Sequence, residues 1–138
     1  MAGYSGAPLA VKLGIKKDCR IGVFNAPGGF IPSLGQLPDG ASVNEDGRGS
    51  ALDVIIFFTR DREELVRRFP ALSGRLCPAG GLWISWPKKT SGVPTDLTED
   101  RVREVGLAAG LVDNKVCAVD ETWSGLRFVI RLKDRPPK

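Results

Sequence analysis

At 138 residues, with 42% hydrophobic and 26% charged side chains, the chain has the size and balance of one globular domain. It contains no histidine, which removes the usual general base near neutral pH, the Ser-His and Cys-His nucleophile pairs, and the commonest metal ligand. The net charge of +4 is concentrated in residues 51–90, on Arg60, Arg62, Arg67, Arg68, Arg75, Lys88 and Lys89. A solvated helix face is the expected setting for these cations, because a nucleic-acid surface needs a denser basic stripe interleaved with aromatics.

Cys19, Cys77 and Cys117 are odd in number and far apart, so neither a disulfide framework nor a zinc site is expected. No stretch approaches the ~20 apolar residues that span a bilayer. The start, Met1-Ala-Gly-Tyr-Ser-Gly6, lacks the basic and apolar regions of a secretory signal. A cytoplasmic protein without membrane association is the expectation.

Residues 1–7 read as a flexible tail. Pro8 opens a short helix with Leu9 and Leu13 one turn apart and Gly14 as its C-terminal cap. Cys19–Phe24 is the first strand, and Asn25-Ala-Pro-Gly-Gly29 a sharp turn. Phe30–Leu34 makes one helical turn, Ala41–Asn44 a short strand, and Glu45–Ser50 a polar loop. The run Leu52–Phe58 is apolar and β-branched throughout, as expected of a central parallel strand covered on both faces.

Asp61-Arg-Glu-Glu64 has the spacing of a capping box. Leu65, Phe69, Leu72 and Leu76 then recur at helical spacing, and Pro70 should kink or restart that helix. Gly80-Gly81 closes the connection, and Leu82–Trp86 is a second buried strand. Thr98 caps a third helix that ends at Gly110, with Leu97 and Val102 placed as a hydrophobic staple. Lys115–Val119 is a strand. A final strand is read from the alternation of Leu126, Phe128, Ile130 and Leu132 with Arg127, Val129 and Arg131, closing an antiparallel hairpin. A Pro-rich tail occupies 135–138. Strands alternating with helices give one Rossmann-like α/β domain over residues 8–134, with a mainly parallel sheet flanked by helices.

This order resembles the second half of class I methyltransferases, where a buried strand leads to a helix, a Leu-x-Pro-Gly-Gly turn and another strand. Leu76-Cys-Pro-Ala-Gly-Gly-Leu-Trp-Ile84 looks like that turn and strand, with one extra residue between Pro78 and Gly80. Phe24-Asn-Ala-Pro-Gly-Gly29 stands where those enzymes place an acidic residue and Gly-x-Gly, and one strand–helix unit has no counterpart. The chain also resembles a bacterial single-domain family of unassigned function. The residues that carry this are Trp86-Pro-Lys-Lys89, Gly92-Val-Pro-Thr-Asp-Leu-Thr98 and Asp113–Gly125, which includes Asp120-Glu-Thr-Trp-Ser-Gly125. That resemblance implies no particular activity.

In open α/β sheets, ligands bind beyond the carboxyl ends of the parallel strands. Asn25, Gly28, Gly29, Thr59, Arg60, Trp86, Lys88 and Lys89 follow such strands. Asp120, Glu121 and Trp123 join them if the strand at 115–119 is also parallel. Duller roles stand beside each: a tight turn for Gly28-Gly29, a sheet cover for Trp86 and Trp123, and solvent exposure for Lys88 and Lys89. Asp120 and Glu121 would then pair with those lysines. Glu45 is a further ribose contact or an ordinary loop carboxylate.

The leading expectation is a non-catalytic module that binds a small anionic or nucleotide-like ligand, with no catalytic residue and no resident cofactor. Lys88 and Lys89 would supply charge, Trp86 or Trp123 a stacking face, and the Asn25–Gly29 backbone its amides. The alternatives are a protein-interaction module anchored by exposed tryptophans and a truncated S-adenosylmethionine-dependent methyltransferase. In the latter, Lys88, Asp120 and Glu121 are the clustered acid–base candidates.

Overall fold

The computed structural model describes residues 8–44 and 51–135. The expected tail at 1–7, residues 136–138, and Glu45 with its loop lie outside them. One sheet has the order β2-β1-β3-β4-β6-β5. Its strands are β1 (Arg20–Phe24), β2 (Ser42–Asn44), β3 (Leu52–Phe58), β4 (Leu76–Pro87), β5 (Leu111–Ala118) and β6 (Trp123–Ile130). Among the described residues, four α-helices accompany it: α1 (Leu9–Lys12), α2 (Phe30–Ser33), α3 (Arg62–Ser73) and α4 (Glu99–Ala108).

Strands β2, β1, β3 and β4 are mutually parallel. β6 runs antiparallel to both β4 and β5, so β5 points the same way as β4. The molecule is therefore a Rossmann-like α/β domain with a C-terminal antiparallel hairpin.

Residue parity divides the core in two. On one face, Leu65, Phe69 and Leu72 of α3 and Val102 and Val105 of α4 pack with Ile55, Phe57, Leu82, Ile84 and Phe128. On the other, Ala10, Leu13, Phe30 and Leu34 cover Ile21, Val23, Val54, Ile56, Phe58 and Trp83. Ile55, Ile56 and Phe57 are fully buried, which explains the unbroken apolar run of β3. Each such side chain contributes about 1.5–3 kcal/mol of burial free energy.

Several boundaries differ from the sequence reading. α3 continues through Pro70 to Ser73, and Gly74 N still donates to the Pro70 carbonyl at 3.0 Å. Pro70 falls in the last turn, so its missing amide interrupts little of the helix. Leu76 is not helical. It opens β4 and is buried in the same core.

The Pro-Ala-Gly-Gly segment is an irregularity within β4, where the register passes from Leu52↔Leu76 to Val54↔Gly81. A Cβ on Gly80 would lie 2.8 Å from the Asp53 carbonyl oxygen and 3.0 Å from that of Leu52, so only glycine fits. β6 starts at Trp123 and ends at Ile130, which leaves Leu132 79% exposed in a short 3-10 turn. Among the described residues no helix is long and apolar enough to cross a membrane. Nor do they hold a group of three or more potential metal-ligating side chains.

Candidate ligand site at the carboxyl edge of the sheet

β1 and β3 end side by side, Phe24 opposite Phe57, and the chain leaves both strands at the same edge. Asn25 turns away with φ +59, a left-handed conformation that Asn tolerates better than most residues. Phe58 ends β3, and Thr59 follows it, almost fully buried. A cavity of about 390 Å³ opens here, lined by Asn25, Pro27, Phe58, Thr59, Arg60, Glu64, Val93 and Trp123.

Its apolar wall is aromatic. Phe58 meets Trp123 edge-on at 5.1 Å between ring centres, and Phe30 at 4.7 Å. Trp123 is half-buried, at the start of β6.

The polar wall is organised by Glu64. Thr59 Oγ1 donates to Glu64 Oε1 at 2.6 Å, and Asn25 Nδ2 to Oε2 at 3.4 Å. The amide of Asp61 donates in turn to Thr59 Oγ1 at 3.2 Å. The Asp-x-x-Glu spacing thus does something other than form a capping box. Asp61 Oδ1 caps α3 by accepting from Glu63 N at 2.9 Å, while Glu64 turns to the threonine hydroxyl. An ionised carboxylate has about four acceptor positions, so Glu64 keeps capacity for donors on a ligand. The Arg60 carbonyl accepts from Thr95 Oγ1 at 2.6 Å and Asp96 N at 3.4 Å, which draws the loop of Val93 over the cavity.

Asn25, Thr59 and Arg60, which follow parallel strands, and Trp123, which joins them because β5 is parallel to β4, therefore line one cavity together with Glu64. Others lie elsewhere. Trp86 is 5% exposed in the α3/α4 core and offers no stacking face. The cause is parity: Trp83 and Trp86 point to opposite faces, and both faces are covered at the sheet centre.

Lys88 and Lys89 enter the 3-10 turn Lys89–Ser91, outside the cavity lining. Asp120 does not pair with them; its Oδ1 accepts from Thr122 N and Trp123 N, both at 2.8 Å, and so shapes the β5–β6 turn. Glu121 is exposed. Gly28 and Gly29 are exposed turn residues, and Gly29 at φ +87 leads into α2. Glu64 is the residue that sequence reasoning missed, because its spacing already had a structural explanation.

No protein-family model and no curated protein matches the chain. Solved structures do. One similar fold is a SAM-dependent methyltransferase from Aquifex aeolicus, with TM-score 0.62 and 16% identity over 91% of this chain and 94% of that one. Another is the fibrillarin pre-rRNA processing protein of Methanococcus jannaschii, with TM-score 0.61 and 14% identity over 93% of this chain and 70% of that one. Magnesium protoporphyrin IX methyltransferase from Synechocystis PCC 6803 with bound SAH follows, at TM-score 0.57 and 13% identity over 89% of this chain and 78% of that one. At these identities the likeness concerns the fold: the chain has the Rossmann-like architecture found in class I methyltransferases.

Proposed function

We propose that the chain is a module that binds a nucleoside-like small molecule in the cavity between Asn25, Glu64 and Trp123, with S-adenosyl compounds the first candidates. The observation that carries this reading is the half-buried Glu64 carboxylate, held by Thr59 and Asn25 beside the Phe58–Trp123 wall. A carboxylate suits the hydroxyls of a ribose or the amino group of a base, and an aromatic face suits the base itself. The cavity is lined by one cationic residue, Arg60, and one carboxylate, Glu64, so a nucleoside or zwitterion fits it better than a multiply charged anion. Several proteins of similar fold are named as SAM-dependent methyltransferases or were crystallised with SAH. A cavity of about 390 Å³ lies within the usual size range of small-molecule sites.

Binding without turnover is the role proposed, since Asp120 is committed to its turn and Lys88 is not among the residues that line the cavity. The test is a thermal-shift and tryptophan-fluorescence titration with S-adenosylmethionine, S-adenosylhomocysteine and adenosine. At 100-fold over its dissociation constant a bound ligand should stabilise the fold by about 2.7 kcal/mol. Glu64→Ala should weaken binding about tenfold, the effect of losing one charge-assisted hydrogen bond. Silence from all three compounds, or unchanged affinity in Glu64→Ala, sinks the assignment.

The similar folds also favour a second reading, a methyl-transferring enzyme. Label passing from methyl-labelled S-adenosylmethionine to any acceptor in a cell extract, and only when the protein is present, would support it over binding alone.

A further inference from the structure

A second cavity, about 370 Å³, opens at the opposite edge of the sheet, where β3 and β4 begin and α1 ends. Lys12, Lys16, Lys115 and Arg127 line it, with Asp53 as the carboxylate. These cations come from α1, the loop after it, β5 and β6. We propose that this amino-edge cavity is a binding site for a small phosphate-bearing ligand.

Arg127 is the central residue. It leaves β6 in register with Lys115 on one side and Trp83 on the other, so the Arg and Lys side chains share a face. Its guanidinium lies directly over Gly81, where a Cβ would collide with it. Half-buried, it donates from Nη1 to Asn114 Oδ1 at 3.3 Å, and among the described residues no carboxylate pairs with it. A guanidinium carries five donors in a planar fork, and most of this fork is left without an acceptor among the described residues. Desolvation pulls its pKa below the ordinary range, and the charge of Arg135 adds to that. An anion would relieve both effects, and phosphate matches the fork's bidentate geometry.

The groups that would repel an anion are already engaged. Asp53 Oδ2 accepts from Arg20 N at 2.9 Å, and its Oδ1 from the Cys77 thiol at 3.3 Å. The carbonyls at the end of α1, which carry the negative end of that turn, are capped from within the protein. Lys115 Nζ donates to Lys12 O at 2.9 Å, and Trp83 Nε1 to Leu13 O at 2.9 Å. The Lys115 bond also fixes its ammonium at the cavity with two protons to offer a ligand.

Calorimetric titration of the whole chain with inorganic pyrophosphate tests the site. The unmodified protein should bind, Arg127→Gln should weaken binding tenfold or more, and Lys115→Gln severalfold. Glu64→Gln, at the other edge, should bind pyrophosphate as the parent does, which separates this site from the nucleoside cavity. Arg127→Gln should fold without loss of Tm, because it removes a half-buried cation that lacks an ionic partner. If that variant fails to fold, Lys115→Gln, at an exposed position, decides the matter alone. A pyrophosphate dissociation constant weaker than about 10 mM, or equal affinity in all three variants, would overturn the proposal. So would tighter binding of a single-stranded oligonucleotide that persists in Arg127→Gln, since general surface charge would then explain the attraction.

Discussion

Ser85 lies fully buried on β4, in register with Phe58 on one side and Gly125 on the other. Its Oγ finds no hydrogen-bond partner among the described residues. A buried hydroxyl without a partner carries a desolvation cost of about 1–3 kcal/mol that an apolar side chain of similar size avoids. Ser85→Ala should therefore raise the urea midpoint, by about 1 kcal/mol in stability, with the slope of the transition unchanged. A loss of stability instead would mean that the hydroxyl makes a hydrogen bond in solution. Thr59 shows the opposite case at nearly the same depth. Its hydroxyl both donates to Glu64 and accepts from Asp61 N, so one side chain connects the end of β3, the start of α3 and the cavity wall.

Among the elements, α4 shows which of its contacts carry energy. Thr98 Oγ1 caps the helix by accepting from Arg101 N at 3.2 Å, and Leu97 and Val102 are both buried in the core beneath. Arg103 reaches Glu99 at 2.7 Å, Asp100 at 3.1 Å and Asp113 of β5 at 3.0 Å. These contacts raise its pKa, Glu99 foremost. Thr98→Ala should lower stability by about 1 kcal/mol, the usual effect of losing a side-chain cap. Asp100→Ala should change it by less than about 0.5 kcal/mol, because the Asp100 side chain is 90% exposed and Arg103 keeps two other partners. Chemical denaturation of both variants compares them directly, and equal losses would contradict this ranking.

Helices α3 and α4 were legible because their signals are local: caps, a 3.6-residue apolar stripe, and glycine at the end of α4. The boundaries that shifted, at Pro70, Leu76 and Trp123, are places where pairing with another strand or position within a turn outweighs local preference. β4 begins at Leu76 because Leu52 pairs with it across the sheet, and no signal within residues 70–80 announces that partner.

For the whole molecule, the α1 segment is joined to the sheet by contacts that are long-range in sequence. Trp83 Nε1, fully buried, donates to Leu13 O across a separation of 70 residues, and Lys115 holds the neighbouring carbonyl. Trp83→Phe keeps an aromatic ring in the core but leaves the Leu13 carbonyl unpaired, at a cost of about 1–3 kcal/mol. Hydrogen exchange should then accelerate at Lys12, Leu13 and Ile15 more than in β3. Uniform acceleration would mean that α1 is not separately held. Both cavities likewise exist only at this scale, since each is assembled from segments distant in the chain.

By itself the sequence determined the fold class, the central strand β3, and the edge at which Asn25, Thr59 and Arg60 meet; the parallel direction of β5, which brings Trp123 to that edge, came from the sheet pairing. These follow from short-range periodicity and from the rule that successive parallel strands share one carboxyl edge, both of which a linear string encodes. Only the tertiary structure decided that Trp86 is buried while Trp123 reaches the cavity, and that Glu64 serves Thr59 rather than its own helix. It alone gathered Lys12, Lys16, Lys115 and Arg127 at the other edge. Whether a side chain is covered, and which charges stand together, depends on what packs above each face of the sheet, and that is set by contacts between residues far apart in sequence.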